Sequence, residues 1–115
     1  MSGLPVPNRG DVLWVEFNPQ AGSEQAGRRP ALVISPRSYN RKAGLALVCP
    51  ITSRIKGYPF EVELPPGLKA TGAILCDHIK SLDWRARRAT RWGAVPDPVM
   101  QEVTARILVL VDPPE

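Results

Sequence analysis

Frequent prolines and glycines divide this chain into short apolar runs, and this spacing limits the length of its helices and strands. The 115 residues include 13 prolines and 9 glycines. Proline removes a backbone hydrogen-bond donor and glycine destabilises the interior of helices and strands, so long regular elements are disfavoured. The spacing of the turn residues predicts a series of short strands. No apolar run approaches the roughly 18 residues that a membrane-spanning helix needs.

Several of these runs have the residue pattern of β-strands. Leu13, Val15 and Phe17 would form one fully apolar face of a half-buried strand over residues 11–18. Further strands are predicted over residues 31–36, 45–52, 60–64 and 72–82, and the basic segment that follows is expected to continue as a strand pair ending at Gly93. The proline at position 50 places its strand at a sheet edge or at a bulge.

Two segments have helical features. A single helical turn is predicted over residues 37–44, and a longer helix begins near the C-terminus with Asp97 as N-cap and Pro98 at its first position. Apolar residues recur in this helix at intervals of three and four, as one face packed on a sheet requires: Met100, Val103, Ile107 and Leu110. The predicted fold class is therefore mainly β with a C-terminal helix, a small and strongly bent barrel in one domain, residues 1–115.

Composition and charge narrow the class of partner. A hydrophobic fraction of 43% and a charged fraction of 23% are ordinary for a soluble globular protein. The N-terminal residues carry no export signal, so a cytoplasmic location without membrane association is expected. The net charge is +4, and basic residues cluster in the segment 80–92, which contains Lys80, Arg85, Arg87, Arg88 and Arg91. Such a cluster favours a polyanionic partner.

The residues available for chemistry are few. His78 is the only histidine, and the sequence contains no serine–histidine–aspartate set and no glycine-rich phosphate-binding motif. Cys49 and Cys76 lie in apolar runs without metal-ligand spacing, which indicates buried free thiols. No metal and no cofactor are predicted. Arginines together with the hydroxyls of Thr52 and Ser53 suit the phosphodiester of RNA, because the RNA 2′-hydroxyl supplies its own nucleophile.

Four stretches together resemble the MazF family, the ribosome-independent endoribonuclease toxins related to Kid/PemK and CcdB: GDVLWVEFNP at 10–19, GSEQAGRRPALVISP at 22–36, CPITSRIKGYPFEVEL at 49–64 and DHIKSLDWRAR at 77–87. The resemblance implies a CcdB/MazF-like fold, an SH3-like barrel that works as a homodimer. It also implies sequence-specific, metal-independent cleavage of single-stranded RNA to a 2′,3′-cyclic phosphate and a 5′-hydroxyl. The implied inhibitor is a cognate MazE-like acidic antitoxin.

The same resemblance suggests roles for individual residues. The key arginine of the family falls on Arg29 and its key hydroxyl on Thr52. A guanidinium is a poor general base, so Arg29 is expected to hold the scissile phosphate while Thr52 donates a hydrogen bond, and the base is left unassigned. Substrate contacts are expected from Glu24, Gln25, Arg28, Ser53, Lys56, Asp77, His78, Lys80 and Arg87.

Other interpretations of these residues stay open. Outside this motif, Arg29 would be a surface residue paired with an acid such as Glu24, and His78 a structural histidine. Trp84 is expected either to contact substrate or to line the dimer interface. A CcdB-like toxin would bind DNA gyrase without nuclease activity, but it would lack the pair of Arg29 and Thr52. An SH3-like adaptor would bind proline-rich peptides, although an aromatic content of 6% is low for that role.

Overall fold

A computed structural model describes residues 5–17 and 27–114. Seven strands and two helices lie in these ranges, in the order β1 (Asp11–Phe17), β2 (Gly27–Val33), α1 (Arg37–Ala43), β3 (Ala46–Thr52), β4 (Glu61–Glu63), β5 (Ala73–Leu75), β6 (Lys80–Leu82), β7 (Thr90–Ala94) and α2 (Asp97–Val111). The mainly β fold with a C-terminal helix is confirmed. No helix in the described part of the chain is long and apolar enough to cross a membrane.

The strands form one antiparallel sheet in the order β4-β5-β3-β2-β1-β7, and β6 also pairs with β3. Within the described residues this hydrogen-bonded path does not return from β7 to β4. β3 is central, since it pairs with β2 along one side and with both β5 and β6 along the other. The sheet therefore brings the C-terminal end of β3 and the start of β2 to the same region.

Apolar side chains pack on both faces of the sheet. One core lies between the sheet and α2 and includes Val12, Leu32 and Ile74 with Val103 of the helix. A second core on the opposite face contains Leu13, Val15 and Phe17, the three residues predicted to share a face. The alternation in β1 predicts a half-buried strand, but β1 is buried on both faces. Val12, on the face opposite to Leu13, is also buried and belongs to the core beside α2.

The strand after the first loop begins earlier than predicted. β2 starts at Gly27 instead of residue 31 and pairs with β1 from Phe17 opposite Gly27 to Val12 opposite Leu32. Arg28 and Arg29 are therefore strand residues, not residues that precede a strand. The extension comes from cross-strand pairing with β1, which local composition does not report.

Three other predictions about the strands are wrong in detail. The single strand expected over residues 72–82 is interrupted, because β5 and β6 pair with different parts of β3 and the chain turns between them at Asp77 and His78. The strand pair expected before Gly93 is one strand, β7, preceded by a turn that contains Trp84. The proline of β3 is not at a sheet edge: Pro50 pairs with Ala31, at the point where β3 changes partner from β6 to β5.

The helices also differ from their predicted limits. α1 has seven residues and ends at Gly44 with φ 70°, a left-handed conformation that suits glycine. In α2 the N-cap is Pro96, so Asp97 occupies the first helical position and not the cap. The buried face consists of Val99, Met100 and Val103, whereas Leu110 is 47% exposed and does not belong to it.

A buried polar cluster around Asn40 joins α1 to the rest of the fold. The Asn40 side chain donates to the carbonyl oxygens of Pro7 (2.9 Å) and Ser35 (3.1 Å) and accepts a hydrogen bond from the Ser35 hydroxyl. The Asn40 carbonyl accepts from the Trp84 indole nitrogen at 3.2 Å, and Trp84 is fully buried. Trp84 is therefore a core residue, and the expectation that it contacts substrate or an interface is wrong.

Candidate active site

Two adjacent hollows meet at the C-terminal end of β3. The first, of about 600 Å³, is lined by four residues singled out from the sequence, Thr52, Lys56, Asp77 and His78, together with Arg54, Tyr58, Pro59, Phe60, Glu61 and Leu75. The second, of about 250 Å³, is lined by Arg29 and Ser53 with Trp14, Arg28, Pro30, Ile51, Thr71 and Trp92. The fold thus places residues from separate sequence segments around the end of one strand.

The register of β2 against β3 relates Arg29 to Thr52. The last paired residues are Ala31 and Pro50. Continued for two residues beyond this last pair, the same antiparallel register would oppose Arg29 to Thr52, and directly opposed residues in a sheet present their side chains on the same face. Arg29 is exposed and Thr52 is half-buried, so both can meet a ligand. A guanidinium and a hydroxyl in this relation form a donor pair suited to a phosphate.

Thr52 is held by two local features. Its hydroxyl oxygen accepts a hydrogen bond from the backbone N–H of Arg54 at 3.1 Å, which leaves the hydroxyl proton free to be donated. Its backbone packs against Gly72, at which φ is 113°. A side chain at position 72 would overlap the Thr52 carbonyl oxygen and lie 2.9 Å from the carbonyl carbon. Glycine is therefore required there for β3 and the start of β5 to approach.

Hydrogen bonds to the Glu61 side chain hold the loop that carries Lys56. One carboxylate oxygen of Glu61 accepts hydrogen bonds from the backbone N–H groups of Lys56 (3.0 Å) and Gly57 (2.9 Å). The Lys56 ammonium lies 5.8 Å from the centre of the Tyr58 ring. Glu61 was not identified from the sequence, where it is one of two acids alternating with apolar residues in a strand. Its loop contacts depend on the tertiary fold.

Asp77 and His78 also line the first hollow. The carboxylate of Asp77 and Nε2 of His78 are 3.8 Å apart, and both side chains are about half exposed. Both residues lie in the turn between β5 and β6. They are accessible to a ligand because the single strand predicted over residues 72–82 is broken at this turn. Both are in position to contact a ligand beside Thr52.

A pair of tryptophans lines the hollow beside Arg29. The rings of Trp14 and Trp92 stack with their centres 4.9 Å apart and an angle of 3° between planes. The pairing of β1 with β7 shifts between Val12 and Leu13, which leaves Trp92 as the extra residue of a β-bulge. Bulges re-aim side chains near functional sites. In the sequence, only the arginines and tryptophans interleaved over residues 84–92 pointed to an aromatic surface here.

Arg28 points into a third hollow, of about 550 Å³, lined also by Glu16, Arg85, Arg88 and Thr90. Its guanidinium donates to the carbonyl oxygens of Arg88 (3.3 Å) and Trp14 (3.4 Å) and to the Thr90 hydroxyl (3.3 Å). Arg85 and Arg88 were noted only as part of a basic cluster. The fold brings them opposite Arg28.

The remaining predicted substrate contacts lie elsewhere. Lys80 is in β6, with its ammonium 5.7 Å from the centre of the Phe17 ring, and it lines neither of the hollows at the end of β3. Arg87 is in the turn before β7 and is half-buried, and its carbonyl accepts a hydrogen bond from the Glu16 N–H at 3.1 Å. Glu24 and Gln25 lie outside the described residues. Within the described ranges, no three histidine, cysteine or acidic side chains converge as metal ligands.

The two cysteines belong to the core between the sheet and α2 and are unsuited to act as nucleophiles. Both are free and fully buried, as predicted. Burial raises the pKa of Cys49 from 9.0 to about 12, with smaller contributions from Cys76 and Asp77. Burial also raises the pKa of Cys76 to about 11, which Arg106 partly opposes. At neutral pH both thiols are protonated.

We therefore expect slow modification of both thiols in the native protein. A pKa near 12 instead of 9.0 lowers the thiolate fraction of Cys49 about 1000-fold at pH 8. Reaction with a thiol-specific disulfide reagent should be at least about 100-fold slower in buffer than in guanidinium chloride. Rapid labelling of the native protein would contradict this assignment.

The raised pKa values of the two thiols also make the free energy of unfolding depend on pH. Stability is lost as pH rises from 9 through 11 and 12, because the thiols of the unfolded chain lose their protons first.

Comparisons with known proteins identify the family. The model of the PemK-like, MazF-like toxins of type II toxin–antitoxin systems matches residues 8–111. The chain is 51% identical over 106 residues to the endoribonuclease toxin MazF of Escherichia coli K12, covering 92% of this chain and 95% of that protein. It is 34% identical to the endoribonuclease PemK of Escherichia coli over 90% of this chain and 80% of that protein.

A solved structure shows the same fold. The crystal structure of MazF from Deinococcus radiodurans superposes with a TM-score of 0.87 at 52% identity, covering 93% of this chain and 97% of that one. A MazE–MazF complex from the same organism gives a TM-score of 0.85 at 52% identity, with 93% and 96% coverage. The predicted resemblance in fold and family is confirmed: the chain belongs to the PemK-like, MazF-like toxin family.

Proposed function

We propose that this chain is an endoribonuclease toxin that cuts single-stranded RNA at a short sequence without a metal ion. The single domain of residues 1–115 would leave a 2′,3′-cyclic phosphate and a 5′-hydroxyl end. The observation that supports the proposal is that β2 and β3 pair side by side, with Arg29 at the start of β2 and Thr52 at the end of β3, where two neighbouring hollows are lined by basic side chains. Relatives named as endoribonucleases, at 51% and 34% identity, support the same activity.

The proposed reaction needs little more than positioning and charge stabilisation. The 2′-oxygen of the RNA attacks the adjacent phosphorus, so an O2′–P bond forms while the P–O5′ bond breaks. The 2′-hydroxyl proton leaves to a base, and the departing 5′-oxygen gains a proton. In the transition state negative charge grows on the phosphate oxygens. The guanidinium of Arg29 would hold these oxygens, and the Thr52 hydroxyl would donate a further hydrogen bond.

The surrounding side chains are suited to bind the flanking nucleotides. Lys56 and His78 line the same hollow as Thr52, and Arg28 lies beside Arg29. Exposed aromatic rings such as Tyr58, which is 60% exposed, can stack on unpaired bases. Single-stranded RNA offers both groups, a phosphate for each cation and an accessible base for each ring.

The partners follow from the same relationship. Solved relatives include MazE–MazF complexes, and we propose that an acidic MazE-like antitoxin inhibits this chain by occupying its basic surface. We also propose that it acts as a homodimer in the cytoplasm, where its RNA substrate is found.

A cleavage assay with two matched substrates tests the proposal. The protein is incubated in EDTA with a long transcript, and the cleavage positions are mapped by the new 5′-hydroxyl ends. A second RNA carries a single 2′-deoxy nucleotide at a mapped position. We expect discrete cleavage of the first RNA and none at the substituted position of the second, because the attacking oxygen is missing there.

Each alternative result has a distinct meaning. Cleavage that requires added metal would contradict the metal-free mechanism. Cleavage that persists at the deoxy position would contradict attack by the 2′-oxygen. Complete absence of cleavage, with inhibition of DNA gyrase by the same preparation, would favour the CcdB-like alternative.

A further inference from the structure

We propose that Arg28, Arg85 and Arg88 form a second phosphate-binding site for the substrate RNA, at a phosphate other than the one that is cut. This inference rests on the proposed nuclease function. It concerns the hollow of about 550 Å³ that these three arginines line together with Glu16 and Thr90. We call this hollow the arginine hollow.

The hollow has an excess of positive charge. Among the described residues that line it, three guanidinium-bearing side chains face one acid, Glu16. The hydrogen bonds described for the Arg28 guanidinium go to two carbonyl oxygens and a hydroxyl, all neutral acceptors. These contacts orient the guanidinium without cancelling its charge, and the one acid, Glu16, is its cross-strand partner in the register of β1 and β2. Three guanidinium groups against this single carboxylate still leave the hollow positively charged, which favours an anion.

Arg85 and Arg88 are held opposite Arg28 by a well-defined turn. The Asp83 carboxylate accepts hydrogen bonds from the N–H groups of Arg85 (3.1 Å) and Ala86 (3.0 Å). The Arg85 guanidinium lies 4.9 Å from the centre of the buried Trp84 ring. The Arg88 carbonyl accepts a hydrogen bond from Arg28. The backbone of the turn is therefore ordered before any ligand binds, and the Arg85 side chain packs on the Trp84 ring.

The backbone at Arg88 gives a second, independent observation. Its φ is 55°, and it is the one residue other than glycine with positive φ in the described part of the chain. Glycine would adopt this conformation without steric strain. Strained backbone conformations tend to occur at functional sites. An arginine at a position better suited to glycine supports the proposed binding role of its side chain.

The position of the hollow favours RNA over other polyanions. Arg28 lines both the arginine hollow and the hollow that contains Arg29, so the two sites are contiguous. A strand of RNA with its scissile phosphate at Arg29 can therefore place a neighbouring phosphate in the arginine hollow. Phosphates recur at each nucleotide of an RNA strand, so two contiguous guanidinium sites can each bind one of them.

The test uses RNA that binds but is not cut. Two oligonucleotides carry a 2′-deoxy nucleotide at a mapped cleavage position: a short one spanning the cut site alone, and a longer one extending past it on both sides. Their Kd values are measured by fluorescence anisotropy at several salt concentrations. Arg88→Gly and Arg85→Gln are compared with the wild-type chain and with Arg41→Gln, an exposed arginine of α1 that serves as control.

We expect Arg88→Gly to weaken binding of the longer RNA about tenfold and to leave binding of the short RNA unchanged. The slope of log Kd against log salt should fall by about 0.7 for each phosphate that is no longer neutralised. The Tm of Arg88→Gly should be retained, since glycine relieves the left-handed strain. Arg85→Gln should act in the same direction, and Arg41→Gln should have no effect.

Three results would overturn the inference. One is wild-type affinity of Arg88→Gly for the longer RNA. Another is an equal loss of affinity in Arg41→Gln, which would mean that only net charge matters. A third is binding of a poly-glutamate peptide that depends on Arg88 while RNA binding does not, which would assign the hollow to an acidic protein partner. The nuclease proposal fails separately, if the wild-type chain does not cleave unsubstituted RNA.

Discussion

Replacement of Arg29 by alanine is expected to lower the rate of RNA cleavage by about 100- to 1000-fold, the usual effect of removing one preorganised donor from a developing negative charge. The side chain is exposed at the start of β2, and its removal leaves no apolar cavity. The circular dichroism spectrum and Tm should therefore stay close to those of the wild-type chain. Cleavage is measured with RNA in excess, so that kcat and KM are separated.

Two further variants make this result specific. Arg29→Lys keeps the positive charge but loses the planar pair of donors, so it should restore part of the rate. Arg41→Ala removes an exposed arginine of α1, outside the hollows at the end of β3, and should cleave as the wild type does. Full activity of Arg29→Ala would remove this residue from its proposed role. An equal fall in rate for Arg41→Ala would reduce the effect to net charge.

Substitution of Gly72 by alanine is expected to have the largest effect on stability, about 2 to 4 kcal/mol. The new Cβ would overlap the Thr52 carbonyl and lie 3.2 Å from Cα of Ser53, and φ of 113° is unfavourable for alanine. β5 must then move away from β3, and Thr52 moves with it. We expect a fall in Tm of about 10 °C or more, and a lower kcat in the protein that remains folded.

Gly67 provides a matched control for Gly72. Its φ of 94° is also unfavourable for alanine, but nothing lies within 4 Å of a Cβ built there. Gly67→Ala therefore carries the backbone strain without the steric overlap, and it should cost about 1 kcal/mol with no change in kcat. If the two variants lose equal stability, the close approach of Gly72 to Thr52 is not what constrains position 72.

The extent of the sequence predictions follows from how local each feature is. Alternation in β1 identified Leu13, Val15 and Phe17 as one core face, and the apolar spacing in α2 identified Met100 and Val103. These patterns arise from the periods of strands and helices, which every residue in a segment reports. Leu110 fits the same spacing yet is exposed. The spacing identifies one face of α2, but it does not show how far along the helix that face is covered by the sheet.

The candidate site also contains residues that the sequence identified and a feature that it did not. Family resemblance was sufficient to single out Arg29 and Thr52, and their placement on β2 and β3 agrees with the register. It did not find the stack of Trp14 on Trp92, which exists because a bulge in β7 re-aims one ring. A bulge depends on how two distant segments pair, and a single segment carries little sign of it.

The short strands, the C-terminal helix, the buried thiols and the family could all be predicted from the sequence, because each follows from local pattern or from motifs read in order. Three features could be seen only in the folded chain: β2 begins at Gly27, Trp84 is buried, and one hollow is lined by Arg28, Arg85 and Arg88. Those features come from contacts between segments that are distant in the sequence, such as the hydrogen bond from Arg28 to Arg88, 60 residues apart. The free energy of such contacts depends on register and packing, which no local stretch of sequence contains.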